Sequence, residues 1–188
     1  SPPDVNDSYL EFSAITKDGK DIILFGLGAI KGVGGSAVES IIHTREESGE
    51  FVSIEDFVNR IDPSKVNKRF IESSIKSGGF DRFGYSRKAL LDQIELIIET
   101  AKNASVARKN ATGSLFGDDE SITKVSLTLT NGDEYDLKDT LEFEKDTLGF
   151  YVSGHPLDEF RASLDELNYT LSSEIEDVKD GSMAIFIG

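Results

Sequence analysis

Apolar residues recur along this chain first with a strand-like and then with a helical period. Tyr9, Phe12 and Ile15 precede an Asp18-Gly19 turn, and Ile22-Ile23-Leu24-Phe25 follow it, which predicts two short strands within residues 8–25. Residues 26–34 are then punctuated by Gly26, Gly28, Gly32 and Gly34. A helix is predicted from Ser36, with Ala37, Ile41 and Ile42 on one face and a stop at Gly49. Ser53, with Asp56 three residues on, predicts a capped helix carrying Ile54, Phe57, Val58 and Ile61, ended by Asp62-Pro63. Val66, Phe70, Ile71 and Ile75 form the buried stripe of a helix from about Lys65 to Ser77, broken by Gly78-Gly79. Ser86 caps a further helix whose Leu90, Ile94, Ile97, Ile98 and Ala101 keep the helical spacing.

The pattern fades after Ala101. Residues 103–123 are rich in Asn, Ser, Gly and Asp and predict a flexible linker, with Leu115-Phe116 as its one apolar pair. Val125, Leu127 and Leu129 alternate before Asn131-Gly132 and Tyr135, which predicts a local hairpin. Leu141–Tyr151 predicts a helix. Gly154-His155-Pro156 opens another, with Leu157, Phe160, Leu164 and Leu167 inside it. Met183 to Ile187 reads as a strand without a partner, as expected of a β domain cut short.

Charge changes this picture. The chain has 188 residues and a net charge of −15, which by itself argues against nucleic acid. Residues 65–88 invert the sign: Lys65, Lys68, Arg69, Lys76, Arg82, Arg87 and Lys88 face only Glu72 and Asp81. The bland alternative for such a cluster is a solvated helix face. There is no cysteine, which excludes disulfides and thiolate metal sites. No apolar run is long enough to span a membrane, and Ser1-Pro2-Pro3-Asp4 lacks the features of a signal peptide.

The stretch Lys31-Gly32-Val33-Gly34-Gly35-Ser36 has a physical use between two short helices. Glycines permit positive φ and close approach, and the amides of the turn and of the following helix's first turn point outward as donors for a phosphate oxygen. Val33 would turn into the core, the small Ala37 would let two helices cross closely, and Lys31 would flank the anion. The same plan repeats about 45 residues later, with Gly78-Gly79-Phe80 as the turn, Phe80 in the role of Val33, and the basic cluster around it. Two such hairpins related by a pseudo-dyad would contact both strands of a duplex across the minor groove, through phosphates and without reading sequence. The expected DNA-contacting set is therefore Lys31, Gly32, Val33, Gly34, Gly35, Ser36, Lys65, Lys68, Arg69, Lys76, Gly78, Gly79, Arg82, Ser86, Arg87 and Lys88.

Three runs resemble the alpha subunit family of bacterial replicative DNA polymerase III. They are Phe25-Gly26-Leu27-Gly28-Ala29-Ile30-Lys31-Gly32-Val33-Gly34, then Lys65-Val66-Asn67-Lys68-Arg69 with Ile75-Lys76-Ser77-Gly78-Gly79-Phe80-Asp81, and finally Glu144-Lys145-Asp146-Thr147-Leu148-Gly149-Phe150-Tyr151-Val152-Ser153-Gly154-His155-Pro156-Leu157. The resemblance implies a mainly α chain. Residues 1–25 would be a β-hairpin lead-in at the end of the fingers, and 26–102 a tandem helix-hairpin-helix domain that grips duplex DNA. Residues 103–140 would be a linker, and 141–188 a helical connector running into the first strand of a truncated OB fold. It also implies a clamp-binding pentapeptide at Thr112-Gly113-Ser114-Leu115-Phe116, where Leu115 and Phe116 would fill an apolar pocket on the sliding clamp. Thr112 stands where the family usually has glutamine.

Members of that family are DNA-directed DNA polymerases of the bacterial cytoplasm and nucleoid. Their catalytic carboxylates hold divalent metal such as magnesium in a palm domain that this chain would lack. No catalytic residue, metal site or cofactor is expected here. The expected partners are duplex DNA, the sliding clamp and the other holoenzyme subunits, with no membrane. His43 reads as a solvent-facing helix end and His155 as a helix cap. Two alternatives stay open from the residues themselves. One is a helix-hairpin-helix repair enzyme using Asp62 or Asp81 on a flipped base. The other is a scaffold whose hairpins meet another protein.

Overall fold

A computed structural model describes residues 1–17, 19–112 and 124–160, with isolated positions at 170, 178, 181 and 185. The chain divides into two units, Ser1–Ser153 and Gly154–Gly188. The first opens with an irregular arm and an antiparallel pair, β1 (Ser13–Lys17) and β2 (Lys20–Leu24), in register from Ser13 opposite Leu24 to Lys17 opposite Lys20. The first strand starts later than expected because Tyr9 and Leu10 leave it. They lie across the glycine stretch instead, where the Tyr9 and Leu10 carbonyls accept from the Leu27 and Gly28 amides at 2.7 and 3.0 Å. A Cβ on Gly26 or Gly28 would come within 2.5–2.6 Å of this arm, so both glycines answer to close packing.

Helices α1 (Gly35–Ser48), α2 (Ile54–Arg60), α3 (Lys68–Lys76), α4 (Arg87–Asp92), α5 (Ile94–Thr112) and α6 (Leu137–Leu148) follow. Four of them begin at a side-chain cap: Ser53, Asn67, Ser86 and Asp136 each accept from the amide three residues on. Their apolar faces meet in one core. Phe51, Phe57, Phe70 and Phe80 are fully buried there, and Phe57 stacks edge-on against both Phe51 and Phe80 with centroids 5.0 and 4.9 Å apart. Burying one such ring is worth about 1.5–3 kcal/mol. That is a large share of the roughly 5–15 kcal/mol by which a domain is stable.

Two expectations need correction. The helix predicted to fade at Ala101 continues to Thr112, through the start of the expected linker. Ala104 and Ser105 are buried along it, and Arg108 Nη2 donates to the Ile61 carbonyl at 2.6 Å. The hairpin predicted at 125–135 is instead an extended strap without strand pairing. Asn59 binds both the amide and the carbonyl of Val125 at 2.8 Å, Gln93 does the same for Thr130 at 3.0 and 2.7 Å, and Leu127 enters the core. Its backbone thus bonds side chains of α2 and of the α4–α5 junction rather than a second strand.

In the second unit, His155 Nδ1 accepts from the Leu157 amide at 3.2 Å, the capping role expected of its ring, ahead of a 3-10 turn at Asp158–Phe160. The Thr170 amide reaches the Ile185 carbonyl at 2.8 Å. The expected strand Met183–Ile187 lies, apart from Ile185, outside the described residues.

Candidate nucleic-acid interface

The first hairpin is built as its sequence dictates. A 3-10 turn at Leu27–Ala29 ends at Ile30, the Val33 amide closes on the Ile30 carbonyl at 3.1 Å, and Gly32 takes φ +89°. Val33 packs against the core, while Lys31, Gly32, Gly34, Gly35 and Ser36 are exposed. The Lys31 amide is fixed to the Thr147 carbonyl of α6 at 2.9 Å. Gly34 caps α1 without a side-chain acceptor. Among the described residues the amides of Gly32, Gly34, Gly35 and Ser36 have no acceptor. Donors left open on an exposed helix start favour an anion.

Arg69, from the start of α3, comes to this same turn: a methyl added at Gly32 would lie 2.5 Å from its Nε. Arg69 and Lys31 are exposed and, among the described residues, in no ion pair. The first hairpin thus carries a base from the second hairpin's leading helix, a juxtaposition that sequence spacing does not show.

The second hairpin differs. Gly78 takes φ +87°, and the Gly79 and Gly78 amides close on the Ser74 and Ile75 carbonyls at 2.7 and 3.0 Å, the pattern of a Schellman cap. Gly78 and Gly79 are buried, and the Gly79 carbonyl accepts from the Val5 amide at 3.1 Å. At the start of α4, the Ser86 amide donates to Asn131 Oδ1 at 2.9 Å, and the Arg87 and Lys88 amides donate to the Glu134 carboxylate at 2.8 and 3.2 Å.

The basic cluster divides accordingly. Lys65 and Lys88 are exposed without an ion pair among the described residues. Lys68 pairs with Glu95. Lys76 pairs with Glu72 at 2.7 Å and lies over the Phe143 ring. Arg82 is tied to Asp4, Asp7 and Glu50 at 2.9, 2.9 and 3.3 Å and so holds the N-terminal arm. Arg87, expected among the DNA-contacting residues, has its guanidinium buried. It bonds Asp81 at 3.1 and 2.7 Å, the Lys76 carbonyl at 3.1 Å and Glu144 at 3.2 Å.

Glu144, fully buried, also accepts from the Val152 and Ser153 amides at 2.7 and 2.9 Å and from Ser153 Oγ. Burial pushes its carboxyl up, but these donors and the Arg87 charge outweigh it and hold the carboxyl below the ordinary glutamate range. Sequence reasoning missed this cluster. The only signal was the unusual run from Glu144 to Ser153, which needs a cation 57 residues earlier to make sense.

The carboxylates considered for base excision are likewise engaged. Asp62 accepts from the Ser64 hydroxyl and amide, which lower its pKa, and Asp81 holds Arg87. Among the described residues no group of His and carboxylate side chains is placed to hold a metal, and no helix is long and apolar enough to cross a membrane. Of the expected clamp motif, Thr112 ends α5, and Gly113, Ser114, Leu115 and Phe116 lie outside the described residues.

Residues 1–90 match the family model of the helix-hairpin-helix motif. The whole chain aligns with the DNA polymerase III alpha subunit of Campylobacter jejuni at 45% identity, and with that of Helicobacter pylori at 42%. The chain belongs to the DNA polymerase III alpha-subunit family. It spans about 16% of the length of these two relatives. The alpha subunit of Borreliella burgdorferi is 41% identical over 88% of this chain and 14% of its own length. The span of the helix-hairpin-helix model includes both turns, and the family resemblance drawn from the three motifs holds.

Proposed function

We propose that this chain is the duplex-holding part of a replicative polymerase alpha subunit. The observation that carries the reading is the start of α1. It has a glycine cap, three open amides at Gly34, Gly35 and Ser36, a fourth at Gly32, and two exposed bases, Lys31 and Arg69, at the turn. Backbone donors and unpaired bases suit phosphate oxygens, which are the same for every sequence. The role in synthesis is to hold product duplex while nucleotide addition, with its divalent metal, takes place in another part of the subunit. The same reading gives Leu115 and Phe116 to the sliding clamp, with Thr112 in the glutamine position, as the anchor that keeps the enzyme on DNA.

Gly34 offers the test. It has φ −93° and nothing within 4 Å of an added Cβ, so a side chain fits there without strain. Gly34→Asp places a carboxylate cap over the open amides. The fold keeps its melting temperature or gains a few tenths of a kcal/mol. Affinity for random-sequence duplex, read by fluorescence anisotropy at low salt, falls by more than about tenfold, because the added charge stands where phosphate would. Unchanged affinity removes the first hairpin from the DNA site. For the clamp, Leu115→Ala with Phe116→Ala abolishes binding to the organism's own clamp in surface plasmon resonance; retained binding places the anchor elsewhere.

A further inference from the structure

The two hairpins present the same positions in opposite states. Gly34, Gly35 and Ser36, at the cap and first two positions of α1, have open amides; their counterparts Ser86, Arg87 and Lys88, at the start of α4, donate to Asn131 and Glu134. The difference extends into the turns. Gly32 and Gly78 share a positive φ, but the Gly32 amide is open and exposed, whereas the Gly78 amide closes the end of α3 in a buried turn. It extends to the bases as well. Lys31 and Arg69 stand exposed at the first turn, while at the second Arg87 faces inward to Asp81 and Glu144, Arg82 is tied down by three carboxylates, and Lys88 alone stays exposed without an ion pair among the described residues.

The strap that closes the second hairpin is held independently of that contact. Gln93 grips Thr130 through both backbone groups, Asn131 Nδ2 donates to the Gly84 carbonyl at 2.9 Å, and Ser86 Oγ donates to the Asp133 carbonyl at 3.2 Å. A duplex phosphate approaching α4 would have to displace a carboxylate already bonded to two amides, against the charges of Asp133 and Asp81. Helix α4 is also only six residues long, so its dipole offers little to draw the phosphate in.

From this asymmetry we infer that duplex contact runs through the Gly32–Ser36 hairpin and Arg69 alone, on the backbone of one strand. The second hairpin is a structural element closed by residues 131–134. This rests on the duplex-holding reading and narrows it: the pseudo-symmetric grip of both strands that the repeated sequence suggests is not what the side chains and amides offer.

Phosphate ethylation interference tests it, with the whole chain bound to a duplex end-labelled on either strand in turn. One run of interfering phosphates on one strand is expected. Runs on both strands, offset across the minor groove, overturn the one-hairpin inference while leaving the duplex-holding reading standing. No binding to any duplex at low salt overturns both. Charge reversal gives a second readout by anisotropy. Arg69→Glu weakens binding by more than about tenfold, and Lys88→Glu changes it by less than about twofold. Equal losses for the two variants sink the inference.

Discussion

Glu144 shows how one residue can be fixed by partners far along the chain. It is fully buried, bonded to Arg87, and holds the amides of Val152 and Ser153. Removing it leaves the Val152 and Ser153 amides without their acceptor, while Arg87 keeps Asp81, at a cost of about 1–3 kcal/mol. Glu144→Ala is expected to lose that much in urea denaturation, and Glu144→Gln somewhat less, since the amide keeps an acceptor for Arg87. The pH dependence has a definite sign. The carboxyl sits below its ordinary value in the fold, so the unfolded chain binds the proton more tightly. Its contribution is complete above the unfolded pKa of about 4.3 and is lost as pH falls through the lower folded value. Wild type therefore loses stability on acidification below about pH 5, and Glu144→Gln loses less over the same window. An identical acid profile for the two chains would assign the acid sensitivity to other carboxylates. None of this was legible from residues 144–153 alone. By contrast, Gly32 and Gly78 were legible as turns, because a glycine between apolar helical stripes has few other uses.

At the scale of elements, the helices were legible where their apolar stripe was made of large residues and their start was capped by Ser53 or Ser86. They were not legible where small residues carried the packing. Helix α5 continues its buried face through Ala101, Ala104 and Ser105, which contribute little hydrophobic signal, while Asn103 and Asn110 suggested a linker. The strap at 124–136 was misread for a related reason. Alternation of Val125, Leu127 and Leu129 does predict an extended chain, but it does not say what accepts the hydrogen bonds. Here the acceptors and donors are side chains of Asn59 and Gln93. Asn59→Ala should leave the Val125 amide and carbonyl without those partners and cost about 1–3 kcal/mol. Hydrogen exchange checks the assignment. The Val125 and Leu127 amides are expected to lose protection in that variant while α3 keeps its own. Loss spread evenly over both would mean that the strap unfolds only with the whole unit.

For the whole molecule, a net charge of −15 has to be reconciled with the proposed duplex partner. The acids repel the DNA backbone over about 8–10 Å at ordinary ionic strength. Contact then depends on a few bases close enough to release counterions. Of the seven bases in residues 65–88, Lys68, Lys76, Arg82 and Arg87 are already engaged with carboxylates. Lys31 and Arg69 are left at the first hairpin, while Lys65 and Lys88 are exposed without an ion pair among the described residues. Two phosphate contacts, at Lys31 and Arg69, give a slope of about −2 for log K against log salt, since each contributes close to −0.9. Anisotropy titrations between 50 and 200 mM salt (a range of about 0.6 log units) would then show roughly a fifteenfold loss of affinity. Arg69→Glu should flatten the slope by about one. A wild-type slope nearer −7 would mean that the paired bases let go of their carboxylates on binding, and that the domain rearranges to meet DNA with both hairpins. A slope close to −2 means that the acidic chain keeps its internal pairs and touches the duplex only where its backbone amides are already open.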